Sequence, residues 1–336
     1  MTAGAAISPA ALVERLLGLS VRVDQATVVI GQVALACLRV GRPSSVVELV
    51  GAGQRGRGEH VGWTLEAHGA FAGVARRLVG PRSGTVAAMR KVLLPLAGDE
   101  REPHGRAALE CALIDLALRQ AGITLAALAG LDASAPRPMR YVISFDAGPA
   151  PAQRARTLLA RVPGARFKID VDPAWTADEI QDLADLASVE ILDWKGRGDR
   201  TLLQAMRAAF PGALFEDPPA SATGPVARDQ GLTDRAAVER ACDEGEAINV
   251  KVPRMGGCLA ALAALELALA RRVPVYFGGM FEVGPGRSQA RQLAALYTPG
   301  APNDLAPLPL LELAPFPPSP LVIAMADPFS DDHAKA

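Results

Sequence analysis

Over most of its length the chain alternates short apolar runs with longer stretches in which apolar residues recur at helical spacing. From residue 139 onward the runs Arg140–Phe145, Ala165–Val171, Val189–Leu192, Ala213–Phe215, Val226–Arg228, Ala247–Val252 and Pro274–Phe277 read as strands. Helical windows lie between most of them: Ala150–Ala160, Ala177–Ala187, Thr201–Phe210, Asp234–Cys242 and Cys258–Arg271. This alternation predicts a parallel sheet with helical crossovers. Seven or eight such units favour closure into a (β/α) barrel, compact against the usual size of about 250 residues. An open Rossmann-type sheet is the competing reading. Its phosphate loop would be the glycine-rich Gly51–Gly58, but Glu59–Trp63 follows where a clear helix is needed.

Residues before 135 read differently. Thr27–Ile30 and Val46–Val50 are strand-like, and His68–Leu78 and Val86–Leu96 have helix-compatible spacing. Ala107–Ala121 is apolar nearly all round and reads as a buried helix ended by Gly122, with Glu110 and Asp115 expected to make structural hydrogen bonds. The tail, 306–336, is rich in proline. It is expected to run as extended chain over the surface, with Leu321–Met325 a candidate strand returning to the N-terminal part.

Composition narrows the function classes. Half of the 336 residues are hydrophobic, which excludes a disordered or fibrous chain. Lys and Arg number 35 against 36 Asp and Glu, and aromatics are 4%, so neither a basic footprint nor a stacking platform for nucleic acid is visible. Cys37, Cys111, Cys242 and Cys258 lack metal-binding spacing, and Cys111 and Cys258, in apolar helical patterns, read as buried small hydrophobes. The longest apolar run, Cys258–Ala270, is interrupted by Glu266 and is too short to span a bilayer. With no signal-peptide pattern at the N-terminus, a cytoplasmic protein with no membrane or nucleic-acid partner is expected.

In a parallel barrel, chemistry sits where strands end. The second strand closes on Arg166-Phe-Lys168, and alternation puts the two cations on one side. The next three close on Asp193, Glu216 and Asp229. The sixth closes on Asn249-Val-Lys251, and the seventh runs into Gly278–Glu282. Carboxylates at three successive strand ends form an oxygen-ligand set for a hard divalent cation such as Mg²⁺. Lys168 and Lys251 flank them in strand order, and a lysine beside a divalent cation can serve as a general base.

The ordered series Lys168, Asp193, Glu216, Asp229, Lys251 resembles the enolase superfamily, within it the muconate-lactonizing subgroup that includes o-succinylbenzoate synthases, dipeptide epimerases and cycloisomerases. Gly56-Arg-Gly-Glu59 resembles the G-x-G-E turn of that family's capping domain, and Ala108–Gly130 its helix and turn leading into the barrel. Arg166-Phe-Lys168 is similar to the K-x-K strand end. Ile248-Asn-Val-Lys251-Val-Pro-Arg-Met-Gly256-Gly257 is similar to the sixth strand and its Gly-Gly turn, and Gly278–Gly286 to the seventh-strand segment. The resemblance implies a (β/α)7β-type TIM-like barrel over 136–305 behind an N-terminal α+β capping domain over 1–135. It implies Mg²⁺, or Mn²⁺, on Asp193, Glu216 and Asp229. Lys168 or Lys251 would remove the proton next to a carboxylate of a small-molecule substrate, through a metal-stabilised enediolate. The outcome would be syn elimination, epimerisation or cycloisomerisation. Arg166, Lys195 and Glu282 are the candidate substrate-binding residues, and alanine-rich helix faces leave a homo-oligomer open.

The chain departs from the family pattern in several places. Arg166 replaces the first lysine of K-x-K; it keeps the charge but is a poor base. Lys195 stands where the family usually has Asn, and Gln230 replaces the usual acidic neighbour of the third ligand. Glu216 and Asp229 are 13 positions apart, with Pro218, Pro219, Gly224 and Pro225 between, as if a helix were deleted; Asp234 is the alternative third ligand. These departures motivate a second reading, an eroded barrel acting as a small-molecule binder or scaffold. Specificity in the family lies in a capping-domain loop, here Leu38–Pro43, and in barrel loops such as Phe281–Gly286. Neither names a substrate.

Overall fold

A computed structural model describes residues 5–33, 42–97, 102–132, 138–146, 148–220 and 222–306. Cys37, the first residues of Leu38–Pro43 and the tail with its candidate strand Leu321–Met325 lie outside the described residues.

The N-terminal part begins with α1 (Pro9–Gly18), started by the Ser8 hydroxyl, which accepts from the Ala11 amide. β1 (Ser20–Val23) follows, then an antiparallel sheet of β2 (Gln25–Val33), β3 (Arg42–Gly51) and β4 (Gln54–His60). The expected strands Thr27–Ile30 and Val46–Val50 are the middles of β2 and β3. Gly51–Gly58 is a hairpin: Ala52 and Gly53 take positive φ (48° and 75°) and β4 leaves the turn. The expected helix His68–Leu78 is divided at Gly73 into α2 (Leu65–Ala72) and α3 (Val74–Arg77). β5 (Arg82–Thr85), which no apolar run announces, pairs antiparallel with β1. α4 (Val86–Leu93) passes into a 3₁₀ turn. α5 (Pro103–Ala121) starts a turn earlier than its apolar pattern, because the Glu102 carboxylate accepts from the Gly105 amide, and it ends at left-handed Gly122. The short α6 (Leu125–Leu128) then leads toward the parallel sheet.

β4 lies flat on α5, and its glycines make that possible. A Cβ at Gly56 or Gly58 would run into backbone carbonyls of Ala112 or Ala108. Glu110 and Asp115 have the structural roles expected of them. Glu110 accepts from the Leu259 amide at 2.9 Å and pairs with Arg90, and Asp115 accepts from the Arg57 amide at 2.8 Å.

The C-terminal part runs β6 (Ile143–Asp146), α7 (Pro151–Arg161), β7 (Arg166–Asp170), α8 (Ala177–Leu186), β8 (Ser188–Asp193), α9 (Arg200–Ala209), β9 (Leu214–Glu216), β10 (Val226–Arg228), α10 (Arg235–Asp243), β11 (Ala247–Val250), α11 (Cys258–Ala270), β12 (Val275–Phe277) and α12 (Pro285–Tyr297). β6 to β12 form one seven-stranded parallel sheet in sequence order. Asn303 and Asp304 close it, bridging Tyr141 on one edge and Gly278 on the other. Asn303 staples the closure: its side chain accepts from the Phe277 amide at 2.9 Å and donates to the Arg140 carbonyl at 3.1 Å. The fold is therefore the expected α/β barrel, and its last strand is reduced to a two-residue bridge.

Two apolar cores hold it. One joins the N-terminal part to α10, α11 and α12 and includes Leu12, Leu49, Leu113, Leu262 and Leu293. The other packs α7, α8 and α9 on β6 to β9, around Phe167, Leu183 and Met206. Cys111 and Cys258 are free and buried, as their apolar settings predicted.

Gly58→Ala is expected to cost about 1–3 kcal/mol of stability by forcing β4 off α5. Gly212→Ala, with open space around it, serves as the neutral control. Urea unfolding of both variants checks this.

Candidate active site

β7 to β11 bring polar side chains, within the strand or at its end, into one cluster at the barrel mouth. Lys168, buried in β7, donates to Glu216 Oε1 at 2.5 Å. Its Nζ lies 3.5 Å from Asp193 Oδ2 and 3.4 Å from Asp304 Oδ2. Asp193 and Glu216 are register partners at the ends of β8 and β9. Asp229 follows β10, and its Oδ2 accepts from Lys251 Nζ at 2.7 Å. Arg254 donates to Asp229 Oδ1 at 2.5 Å. The structure thus brings Lys168, Asp193, Glu216, Asp229 and Lys251 into one buried cluster.

The short crossover does not displace Asp229. The described residues between β9 and β10 contain no helix, yet the strands pair in register, Val226 with Phe215 and Ala227 with Glu216. Asp217, at a positive φ of 44°, turns its carboxylate across the gap to accept from the amides of Asp229 (3.1 Å) and Gln230 (2.7 Å). Asp234, the alternative ligand, caps α10 instead by accepting from the Ala237 amide at 2.8 Å.

Of the candidate substrate-binding residues, Arg166 and Glu282 lie apart from this cluster and Lys195 stands at its rim. Arg166 is exposed and donates to Glu190 Oε1 at 2.5 Å; Arg140 holds the same carboxylate, so Arg166 does not join Lys168. Lys195, at a left-handed φ of 50°, pairs with Asp170 at the rim, with its Nζ 3.9 Å from Asp193 Oδ2. Glu282 is buried at the junction with the N-terminal part, accepting from the Met280 amide at 2.9 Å. Beside it, Glu59 accepts from the amides of Val283, Gly284 and Gly286, and burial together with Glu282 pushes its carboxyl up to about 7.

Several residues escaped the sequence reading. Tyr276 donates its hydroxyl to Glu216 Oε2, and Asn249 reaches the same oxygen at 3.4 Å. Ser144 donates to Asp304. Period-two alternation in Asn249-Val-Lys251 was the available signal for Asn249. Nothing announced Asp304, because its strand has no apolar run.

The electrostatics follow from burial. Desolvation lowers Lys168's affinity for its proton, but Glu216, Asp304, Asp193 and Asp229 outweigh it and hold the ammonium well above the ordinary lysine value. Asp193 and Glu216 are pushed up, chiefly by burial and further by repulsion from Asp229. Asp229 is drawn down to about 2, since Lys251, Lys168 and Arg254 outweigh its desolvation.

Among the described residues no group of three or more His, Cys, Asp or Glu side chains stands in position to hold a metal ion as it is, each carboxylate being turned to a cation or hydroxyl. The donor set nonetheless fits a hard cation in its chemistry. It consists of carboxylates on adjacent strands, and Asp193 Oδ1 is buried without a hydrogen-bond partner.

The fold is that of a barrel seen in solved members of the enolase superfamily. The chain belongs to the family described as domain of unknown function (DUF8230), whose N-terminal domain matches residues 14–128 and whose C-terminal domain matches 135–310. It is 26% identical over 221 residues to an o-succinylbenzoate synthase of Geobacillus stearothermophilus, covering 60% of this chain and 58% of that one. It is 25% identical to an N-succinylamino acid racemase of Thermus thermophilus, covering 65% of this chain and 63% of that one. The chain thus matches less than two thirds of the length of these relatives. A mandelate racemase/muconate lactonizing enzyme from Roseiflexus superposes with a TM-score of 0.70 at 21% identity, over 87% of this chain and 90% of that one. Among the described residues no helix is long and apolar enough to cross a membrane.

Asp234→Ala is expected to cost about 1 kcal/mol of stability, the loss of a helix cap, while leaving ligand binding at the barrel mouth intact. Chemical denaturation measures the first effect, and the cation titration described below measures the second.

Proposed function

We propose that the protein removes the proton on the carbon next to a substrate carboxylate, using Mg²⁺ or Mn²⁺ held by Asp193, Glu216 and Asp229. The observation that carries this reading is the flanking of that carboxylate row by two buried lysines, Lys168 from β7 and Lys251 after β11. When bound, the ion supplies Lewis-acid stabilisation of the charge that develops on the substrate carboxylate.

The chain's own residues do the rest. A lysine is a base only as the free amine, and Lys168 is held as ammonium by the carboxylates around it. That pull would weaken if Asp193 and Glu216 held a divalent ion, whose charge would offset theirs. Ser144 and Asp304 then keep its chain aimed at the barrel mouth. Lys251 is aimed by Gly278, where a Cβ would collide with the lysine's Cε. Tyr276 and Asn249 fix one oxygen of Glu216, leaving Oε1 for the changing partner. With an amine on each flank, a proton taken by one lysine and returned by the other inverts the carbon. Loss of a leaving group instead gives elimination, and internal addition gives cycloisomerisation. The names of the relatives, a synthase and a racemase, support a lyase or isomerase of this kind acting on a small carboxylate.

One observation favours the second reading, a barrel that binds without turnover: Arg254 and Lys251 both hold Asp229, so two cations compete for the third ligand position.

Calorimetric titration of Mg²⁺ into metal-free protein is expected to show one-site binding that Asp193→Asn abolishes. Absence of binding in the wild type, with and without a carboxylate ligand, would favour the second reading. With N-succinylamino acids among the carboxylates screened in deuterated water, Lys168→Ala and Lys251→Ala are each expected to slow α-proton exchange by about 10²-fold or more while the fold persists. Unchanged exchange in both would overturn the lysine assignment.

A further inference from the structure

Tyr276, in the middle of β12, is a buried phenol that lies below the barrel mouth and packs with Val142, Ile191, Ala227 and Ala247. Ile191, Ala227, Ala247 and Tyr276 come from β8, β10, β11 and β12, and side chains of strands so far apart around a closed sheet meet only in its interior. Alanine at positions 227 and 247 leaves room along the barrel axis for one large ring. The ring of Tyr276 takes that room, and its hydroxyl donates to Glu216 Oε2. Asn249, the register partner of Tyr276 on β11, donates to the same oxygen at 3.4 Å.

The two oxygens of Glu216 are therefore held by different chemistry. Oε1 accepts from the Lys168 ammonium at 2.5 Å, a cation that a divalent ion would rival. Oε2 accepts from a phenol and an amide, neutral donors that an incoming cation does not expel by net charge. Glu216 is wholly buried, so an oxygen that loses its donor is left short of a partner. Asp193 is under no such restraint: among the described residues its Oδ1 is buried without a hydrogen-bond partner.

Divalent ions differ in what they ask of a carboxylate. Mg²⁺ takes oxygens at about 2.0–2.1 Å in near-ideal octahedral geometry, for which the two-oxygen bite of one carboxylate is too narrow. Ca²⁺ takes about 6–8 oxygens at roughly 2.3–2.6 Å and accepts both oxygens of one carboxylate. On the reading that this mouth holds a divalent ion, we propose that Tyr276 is a positioning residue that keeps Glu216 a one-oxygen ligand and thereby favours Mg²⁺ over Ca²⁺. For Glu216 to offer both oxygens, Oε2 must give up the phenol, a hydrogen bond made to a charged group. Ca²⁺ bears that cost and Mg²⁺ does not. Asn249 contributes less, because its contact is long.

The test is calorimetric titration of Mg²⁺ and of Ca²⁺, each alone, into metal-free wild type and Tyr276→Phe, which keeps the ring in its alanine-lined room and removes only the hydroxyl. The ratio of Ca²⁺ to Mg²⁺ affinity is expected to rise about tenfold in the variant. A substitution that merely loosened the barrel would weaken both ions alike and leave the ratio where it was. Binding of both ions with an unchanged ratio overturns this proposal alone. Binding of neither ion by the wild type overturns it too, and counts against the metal reading on which it rests. If Tyr276→Phe does not fold, infrared difference spectra of metal-free and Mg²⁺-loaded wild type decide. Glu216 is the glutamate among the proposed ligands Asp193, Glu216 and Asp229, so a ¹³C label on glutamate side-chain carboxyls isolates it. A wide separation of the asymmetric and symmetric carboxylate stretches, the mark of one-oxygen coordination, is expected; a narrow separation overturns the proposal.

Discussion

The structure is organised around one electrostatic constraint: carboxylates that share a water-poor barrel mouth need cations among them. A buried ion costs several kcal/mol in lost hydration, and two like charges at about 4 Å repel by about 4 kcal/mol at an effective dielectric of 20. Asp193, Glu216, Asp229 and Asp304 escape both penalties because Lys168, Lys251 and Arg254 stand between them. The same arrangement makes the site responsive. A divalent ion, were one held there, would rival the ammonium groups for one set of oxygens and would weaken the pull that these carboxylates exert on Lys168. The proposed base and the proposed metal site, built on the same carboxylates, would thus be coupled by Coulomb's law.

That coupling holds only if the strand ends stay in register, and the weak place is the crossover from β9 to β10. Parallel neighbours usually need a dozen or more residues between them, and here β10 begins at Val226, soon after β9 ends at Glu216. Asp217 resolves this by accepting the two amides that follow β10, which replaces what a crossover helix would have fixed by packing. On the opposite side, Asn303 substitutes for a full eighth strand. Polar side chains bonded to backbone do the work of missing secondary structure in both places.

The barrel was legible in the sequence because it follows from local pattern, and the same pattern picked out side chains that the fold brings together. Lys168 within β7, Asp193 and Glu216 at the ends of β8 and β9, and Lys251 just after β11 form one buried cluster. What the sequence did not show depends on contacts made after folding. Asp217 has an unremarkable place between Glu216 and Pro218, and only its φ and its partners reveal its task. Arg166 reads as a twin of Lys168 by alternation, yet it is the first residue of β7, away from the strand ends at the mouth, and Glu190, in the bulged register of β8, takes it. Asp234 and Asp229 are equally plausible as ligands by type. The helix that begins at Arg235 takes the former for its cap.

The N-terminal part is more than a lid laid on a finished barrel. α11 and α12 begin at Gly257 and Gly284, and neither glycine offers a side chain to its helix. The N-terminal part supplies what they lack: Glu110 accepts from the Leu259 amide, and Glu59 from the amides of Val283, Gly284 and Gly286. An anion at a helix N-terminus is favoured both by the free amides and by the helix dipole. Gly257 must be glycine for Glu110 to arrive at all, since a Cβ there would strike its carboxylate. These two helices follow β11 and β12, and the segments leading into them start at Lys251 and Gly278. The position of a candidate base therefore depends on carboxylates from a different part of the chain. Substitutions at Glu59 or Glu110 should be read as changes to the barrel mouth as much as to the N-terminal part.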